Sequence, residues 1–397
     1  MNSNTPQIVW LDDDGQPQQA AWRSLAGHPP PVKVVVADDA LSADAAFRLA
    51  RDGTGLLWRG DYQNARHLLQ ALGRRLDARA LGDDGRRADE PKQRTTPGPG
   101  KAAPTAMTAA FHALRQTQAR RARILGQLLL PFNADHGLPL RRAPDVRAAG
   151  LQAHGPVDTH YVASLRELLG LVGAFEWRKK GVMIPALGAP IHPHHGVFSP
   201  VRGEYVDLAA KAPLPTAAHS AGAFDIGTGT GVLAAVLARR KLAVVATDLS
   251  PAALACAADN VKRLGLAGDV KLVLADLFPA GRAGLVVCNP PWVPAQPSSP
   301  LEAAVYDPDS RMLRGFLAGL AAHLVPGGEG WLILSDLAEH LGLRSRSDLL
   351  GWIQAGGLVV LGRIDTRPRH GKAADTADPL HAARAAEVTS LWRLGTA

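Results

Sequence analysis

The residues best suited to chemistry stand at the ends of four short apolar runs between residues 223 and 292. Apolar runs that alternate with helical patterns predict strands of a parallel sheet, which binds ligands beyond its carboxyl ends. In chain order the polar positions are Asp225, the loop Gly227-Thr228-Gly229-Thr230-Gly231, Asp248, Asp276 with Leu277, and Asn289-Pro290-Pro291-Trp292. The pattern predicts a ligand site made of acidic, glycine and amide groups.

The glycine loop lies between the run at residues 223–226 and the helical pattern at residues 232–238, which predicts strand, tight turn and helix. Glycines at alternate positions let the backbone turn sharply and approach a ligand. The helix N-terminus behind them offers unpaired N–H groups and a partial positive charge, which favour an anionic group. Asp248, about 20 residues further on, can accept hydrogen bonds from the two hydroxyls of a ribose. Together these features predict a nucleoside ligand.

Two details separate this loop from the dinucleotide fingerprint of nicotinamide-dependent oxidoreductases. Its spacing is Gly-x-Gly-x-Gly, and the fourth run ends in Asn-Pro-Pro-Trp. This combination resembles the class I S-adenosylmethionine-dependent methyltransferases, within them the branch whose Asn-Pro-Pro-aromatic motif serves the methylation of planar NH2 nitrogens. The resemblance covers about residues 196–393. It implies an α/β fold with a C-terminal seven-stranded Rossmann-like methyltransferase sheet, helices on both faces and an antiparallel seventh strand.

The resemblance also implies S-adenosylmethionine as the cofactor and assigns roles to individual residues. Asp225 and the loop residues Gly227, Thr228, Gly229 and Gly231 would hold the methionine portion. Asp248 would hold the ribose, and Asp276 with Leu277 the adenine edge. The structural alternative for Asp225 and Asp276 is ordinary capping of strand ends and turns.

Two further segments are assigned to the pocket by the same resemblance. Residues 196–205 resemble the lid that covers cofactor and acceptor in methyltransferases of this type. It would place Phe198, Arg202 and Tyr205 near the pocket. Tyr306 begins a loop that should flank the acceptor, so we expect these four side chains to bind substrate.

The four residues Asn289-Pro290-Pro291-Trp292, called the tetrad below, are suited on physical grounds to bind a planar NH2 group. An amide or exocyclic amine nitrogen is a poor nucleophile because its lone pair is delocalised, so both N–H groups must be held and the lone pair aimed at the methyl group. The side-chain oxygen of Asn289 and the carbonyl of Pro290 can accept the two protons, and Trp292 can stack on the flat acceptor. No strong base is needed, since alignment and electrostatics dominate the transfer. We therefore predict that Asn289, Pro290, Pro291 and Trp292 are catalytic; a plain strand-ending turn is the alternative.

The acceptor stays open between two classes. One is a glutamine side-chain amide of a protein such as a release factor, and the other is guanine N2 or adenine N6 of ribosomal or transfer RNA. Trp292-Val293 replaces the Phe-His of the guanine-specific branch, whereas Val293-Pro294 and Tyr306-Asp307-Pro308 resemble the glutamine branch. That branch usually has Tyr where Trp292 stands, and a larger ring suits a base.

A noncatalytic RNA-binding protein that keeps the methyltransferase fold is the alternative from another functional class. The complete tetrad and the three acidic positions disfavour it, because a site that no longer binds cofactor should have lost some of them. A nicotinamide oxidoreductase is disfavoured by the glycine spacing.

Composition limits the partners and the compartment. The 397 residues carry a formal net charge of +8 and have a pI near 9.8, which permits contact of the basic N-terminal half with RNA or a ribosome. The two cysteines have no metal-site or disulfide spacing, and no segment reads as a signal peptide or membrane span, so we expect a cytoplasmic protein. His192, His194 and His195 lie among prolines without an acidic or cysteine ligand, so no metal site is predicted.

Four regions are predicted along the chain. Residues 1–81 read as a small α/β domain, and residues 82–106, rich in Gly, Pro and Arg, as a flexible linker. Residues 107–195 read as a helical, basic substrate-recognition segment with helices at 107–130 and 158–173. Residues 196–397 form the predicted methyltransferase domain.

Overall fold

The computed structural model describes residues 5–12, 14–87, 105–200, 203–299, 302–368 and 375–397. Contacts divide the chain into two compact units, Met1–Ala103 with Ala113–Phe175, and Pro104–His112 with Glu176–Ala397. We call them the N-terminal and the C-terminal unit. Within the described residues, no helix is both long and apolar enough to cross a membrane.

The N-terminal unit is built on a six-stranded sheet in the order β1-β2-β6-β5-β4-β3. Its strands are β1 (Gln7–Leu11), β2 (Pro17–Trp22), β3 (Lys33–Ala37), β4 (Thr54–Trp58), β5 (Leu128–Phe132) and β6 (Tyr161–Ser164). The edge strands β1 and β3 also contact each other, so the sheet curls towards a barrel. The first five helices are α1 (Ala43–Arg51), α2 (Tyr62–Arg87), α3 (Ala106–Leu125), α4 (Arg147–His154) and α5 (Leu165–Lys180); α3 and α5 contribute residues to both units.

The structure corrects the predicted boundaries of the first three regions. β5 pairs with β4 and with β6, so residues 1–81 and the segment predicted as helical at 107–195 share one sheet. The helix predicted for residues 107–130 ends at Leu125, and the buried leucine run after Gly126 forms β5. A short apolar run has no period that separates strand from helix, and pairing with β4 decides. The predicted linker 82–106 begins inside α2, and residues 88–104 lie outside the described residues.

The C-terminal unit holds the seven-stranded sheet that the sequence predicts. Its order is β11-β10-β9-β12-β13-β15-β14, and β15 runs antiparallel to both neighbours. After the hairpin of β7 (Val182–Ile184) and β8 (Ala189–Ile191), the strands are β9 (Ala223–Ile226), β10 (Val244–Asp248), β11 (Val270–Leu274), β12 (Ala283–Cys288), β13 (Leu324–Ser335), β14 (Leu358–Thr366) and β15 (Thr389–Thr396). This confirms the predicted α/β fold class.

Helices cover both faces of this sheet. They are α6 (Glu204–Lys211), α7 (Thr216–Ala221), α8 (Val232–Arg239), α9 (Pro251–Arg263), α10 (Arg311–Leu320), α11 (Leu337–His340), α12 (Arg346–Ala355) and α13 (His381–Ala386). Alternate residues of a strand point to opposite faces, so Leu285 and Val287 join one core while Val286 and Cys288 join the other. Because β9, β10, β11 and β12 are parallel, their carboxyl ends meet at one edge.

Candidate active site

A cavity of about 620 Å³ lies at this edge of the sheet. Most of the residues predicted for the site line it: Phe198, Tyr205, Gly227, Thr228, Gly229, Asp248, Asp276, Leu277, Asn289, Pro290, Pro291, Trp292 and Tyr306. Asp225 and Gly231 lie in the strand and turn beside it. Arg202 lies outside the described residues. The fold therefore brings together positions that span more than 100 residues of sequence, while their roles stay predictions.

Asp225 is a buried carboxyl group below the glycine turn. Its Oδ2 accepts hydrogen bonds from Thr228 Oγ1 (2.7 Å) and from the backbone N–H of Ala234 (2.9 Å). Its Oδ1 is buried without a hydrogen-bond partner among the described residues. Burial raises the pKa of Asp225 to about 6, against the lowering effect of these hydrogen bonds. An unsatisfied buried carboxylate oxygen is costly, and a ligand ammonium would satisfy it.

The glycine turn has a backbone that other residues adopt only under strain. Gly227, Gly229 and Gly231 have φ values of 72°, 54° and 81°, all in the left-handed region. A Cβ atom on Gly227 would come within 2.4 Å of Met312 Cε, whereas one on Gly229 would meet no atom within 4 Å. The turn thus packs against Met312 at its first glycine and has open space at its second, and both glycines line the cavity.

Asp248 is held by two backbone donors. The N–H of Gly229 donates to its Oδ2 and the N–H of Ser250 donates to its Oδ1, each with a donor–acceptor distance of 2.9 Å. Since every carboxylate oxygen can accept more than one hydrogen bond, both oxygens keep capacity for ligand hydroxyl groups. The carboxylate is therefore oriented in advance for the ribose role that the sequence predicts.

Asp276 and Leu277 follow β11 at the same edge. Asp276 forms an ion pair with Arg311, a residue that the sequence did not point to. Leu277 has a φ of 74°, and its carbonyl accepts a hydrogen bond of 2.6 Å from Thr247 Oγ1. A leucine in the left-handed region costs about 1–3 kcal/mol, and such strain concentrates at ligand sites.

The tetrad carries an internal hydrogen bond. Trp292 Nε1 donates to Asn289 Oδ1 over 2.8 Å. Trp292, predicted only as a stacking surface, therefore also holds the side chain of Asn289, which is predicted to bind the acceptor. The segment after it is fixed as well, because Val293 N–H donates to Val305 O (3.2 Å) and Asp307 N–H donates to Val293 O (2.9 Å).

Several residues that line the cavity were missed by the sequence predictions. They are Phe111 of α3, Arg311, Met312, Leu337 and Leu341, together with Leu380 and Arg384 near α13. Phe111 lies more than 100 residues before the glycine turn, in a helix whose apolar face gave no sign of it. Leu380 and Arg384 belong to a segment that reads as a polar loop, because six helical residues are too few to show a period.

The clustered histidines make contacts within the fold. The backbone N–H of His192 donates to Asn260 Oδ1 (2.7 Å), and His194 Nε2 lies 3.2 Å from Asp259 Oδ2. Burial lowers the pKa of His194, partly offset by Asp259. These contacts place the segment before the predicted lid against α9.

Comparison with known proteins gives a family match in the C-terminal unit and several similar proteins. Residues 188–345 match the family described as methyltransferase small domain. The release factor glutamine methyltransferase of Cereibacter sphaeroides is 36% identical over 163 residues, which cover 36% of this chain and 56% of that protein. That of Deinococcus radiodurans is 42% identical over 119 residues, covering 26% of this chain and 42% of that protein. The chain thus spans about half the length of these curated relatives.

A solved structure is also similar. It is an S-adenosylmethionine-dependent methyltransferase of Thiobacillus denitrificans in complex with S-adenosyl-L-homocysteine, at 18% identity and a TM-score of 0.33. The match covers 50% of this chain and 92% of the other.

Proposed function

We propose that this chain, whose residues 188–345 match the methyltransferase small domain family, is a class I S-adenosylmethionine-dependent methyltransferase that methylates the side-chain amide nitrogen of a glutamine in a protein. The observation that carries the proposal is the position of Asn289 and Pro290 on the same cavity as the glycine turn and Asp248. The release factor glutamine methyltransferases among the relatives support the choice of acceptor.

The residues at the sheet edge fit the cofactor. The unsatisfied Oδ1 of Asp225 suits the ammonium group of the methionine portion, and Asp248, fixed by two N–H groups, suits the ribose hydroxyls. The strained Leu277 and its neighbour Asp276 would border the adenine. When bound, S-adenosylmethionine supplies a methyl group on a positively charged sulfur.

Asn289 and Pro290 would hold the acceptor amide. One lone pair of Asn289 Oδ1 takes the indole N–H of Trp292, and its second lone pair remains for one N–H of the acceptor. The carbonyl of Pro290 accepts the other N–H. With both N–H groups held, the nitrogen lone pair is directed out of the amide plane. The nitrogen would gain the methyl group as the sulfur–methyl bond breaks and leaves a neutral thioether, and it would release one proton to solvent. Alignment and fixed dipoles supply the rate enhancement.

The charges around the cavity favour a neutral acceptor over a nucleic acid. Of the described residues that line it, Arg311 and Arg384 have cationic side chains. Arg311 pairs with Asp276, and Arg384 Nε lies 2.7 Å from Asp378 Oδ2. Nucleic-acid sites present Lys and Arg to phosphate groups, and both arginines here are already neutralised. A contact of the basic N-terminal half with RNA or a ribosome stays a prediction.

A direct assay tests the proposal. The full chain is incubated with tritiated S-adenosylmethionine and, in separate reactions, unmethylated release factor, ribosomal RNA and transfer RNA of the same organism. We expect label in the release factor and, by mass spectrometry, one added methyl group on a glutamine. Label found only in RNA would show that the acceptor is a base and not a glutamine. A calorimetric titration without cofactor binding would support the noncatalytic alternative.

A further inference from the structure

One side of the cavity is built by segments outside the matched methyltransferase domain. Phe111 comes from α3, and Leu380 and Arg384 come from the segment that joins β14 to β15. Residues 188–345 include none of them. They lie on the same cavity as Trp292 and Tyr306, the side chains predicted to meet the acceptor.

The beginning of α3 belongs to the C-terminal unit and is held there by hydrogen bonds. Thr108 Oγ1, in a largely buried side chain, donates to Leu341 O over 2.8 Å and contacts Thr105 Oγ1 over 2.8 Å. The approach is so close that a Cβ atom on Gly342 would lie 2.7 Å from Thr108 Oγ1. Phe111, one turn later, is 4% exposed, and its ring centroid lies 6.5 Å from that of Tyr306. Phe111 is thus a fixed wall of the cavity.

The segment that carries Arg384 is anchored at the end of β13. Ser335 Oγ donates to Glu387 Oε1, and the N–H of Val388 donates to Asp336 Oδ1, both over 2.7 Å. Asp378 accepts from the N–H of Leu380 over 2.9 Å and pairs with Arg384. One carboxylate therefore fixes both residues that this segment presents to the cavity.

We propose that Arg384 binds a main-chain carbonyl of the acceptor peptide and that Phe111 packs on the aliphatic part of the target glutamine. This rests on the proposed function and makes the two residues determinants of acceptor binding. A guanidinium group has five N–H donors; Arg384 Nε lies 2.7 Å from Asp378 Oδ2 as an ion pair, but it makes no aligned hydrogen bond with the described residues. The neighbouring carboxylate offsets the positive charge, so the remaining donors suit an uncharged carbonyl oxygen better than a phosphate. Phe111 and Tyr306 provide apolar surface for the methylene groups of a glutamine.

The test compares Arg384→Gln and Phe111→Leu with wild type in methyl transfer to release factor. A matched control is Arg363→Gln, because Arg363 also pairs with an aspartate, Asp365, but does not line the cavity. For both cavity variants we expect KM for the release factor to rise about tenfold, kcat to change less than about twofold, and the Kd of S-adenosylmethionine in calorimetry to stay unchanged. Binding of release factor to the complex with S-adenosyl-L-homocysteine should weaken in parallel.

Unchanged KM in both variants would overturn the inference and leave the proposed function intact. A loss of cofactor affinity that parallels the rise in KM would also overturn it, since it would indicate general damage to the fold. If Arg384→Gln does not fold, Phe111→Leu decides alone. Wild-type protein that binds the cofactor but labels no release factor would overturn the proposed function, and the inference with it.

Discussion

Trp292 Nε1 donates a 2.8 Å hydrogen bond to the side-chain oxygen of Asn289. An indole N–H is a donor only, so its partner must be the oxygen and not the nitrogen of the amide. The bond therefore fixes which way the Asn289 amide faces. We infer that Trp292 is a positioning residue that keeps the Asn289 oxygen turned to the acceptor.

Trp292→Phe tests this positioning role, because it keeps an aromatic ring and removes the N–H. We expect kcat for methyl transfer to fall about tenfold, the worth of one hydrogen bond of this kind, with the Kd of S-adenosylmethionine unchanged. The exposed Trp177 provides the control Trp177→Phe. Equal kcat for wild type and Trp292→Phe would show that the hydrogen bond plays no part in turnover.

Asn289→Ala removes the amide itself. Turnover should fall about 100-fold or more, as when a preorganised group that acts in the transition state is lost. Cofactor affinity should be retained, since the side chain acts on the acceptor side. Single-turnover transfer of tritium, with the Kd from calorimetry, measures both effects, and an unaltered rate would remove the tetrad from the mechanism.

Asp248→Ala should act on the cofactor instead. The substitution removes the proposed acceptor of the ribose hydroxyls and leaves the N–H groups of Gly229 and Ser250 without their partner. We expect the Kd of S-adenosylmethionine to rise about 10- to 100-fold. Asp269→Ala, at an exposed carboxylate of the same unit, should bind like wild type. Equal affinity in the two variants would refute the ribose role.

Asp225 should make stability depend on pH. Its folded-state pKa of about 6 lies above the ordinary 3.8, because burial disfavours the charged form. The folded protein then holds this proton more tightly than the unfolded chain does. The stabilisation is thus complete below about pH 4 and is lost as the pH rises to about 6.

Asp225→Asn cannot ionise and should lack this loss. Urea unfolding of both proteins at several pH values provides the measurement. The free energy of unfolding of the variant, relative to wild type, should rise between about pH 4 and pH 6 and then level off. Asp269→Asn serves as the exposed control, and parallel curves for Asp225→Asn and wild type would contradict the raised pKa.

The site's frame was predictable because its signals are local. The run at residues 223–226 is predicted with the bounds that β9 shows, and the helix after the glycine turn begins at Val232 as predicted. When a strand, a glycine turn and a helix follow one another, each pattern helps to set the bounds of the next within about ten residues of sequence. The neighbouring strands then follow from the parallel α/β arrangement.

The side of the cavity that Phe111 lines could not be predicted, because it depends on contacts between segments that are distant in the sequence. Phe111 reaches the cavity through the contact of Thr108 with Leu341, more than 200 residues later in the chain. Strand β5 follows α3 in a run of leucines without strand alternation, and only pairing with β4 and β6 makes it extended. Strand β2 was also missed, since its sequence PQQAAW has weak strand character. Strand β1 was missed although its Ile8, Val9 and Trp10 favour a strand.

The place of β15 between β13 and β14 has a consequence for biosynthesis. Strand β15 is synthesised after both of its neighbours. A chain that ends at residue 388 therefore contains β13 and β14 but lacks the strand that pairs with both. Until β15 is available, β13 presents an unpaired backbone edge and β14 has no sheet to join, a state prone to association with other chains. Chaperone capture of released, truncated chains should therefore be strongest for those that end just short of Thr389.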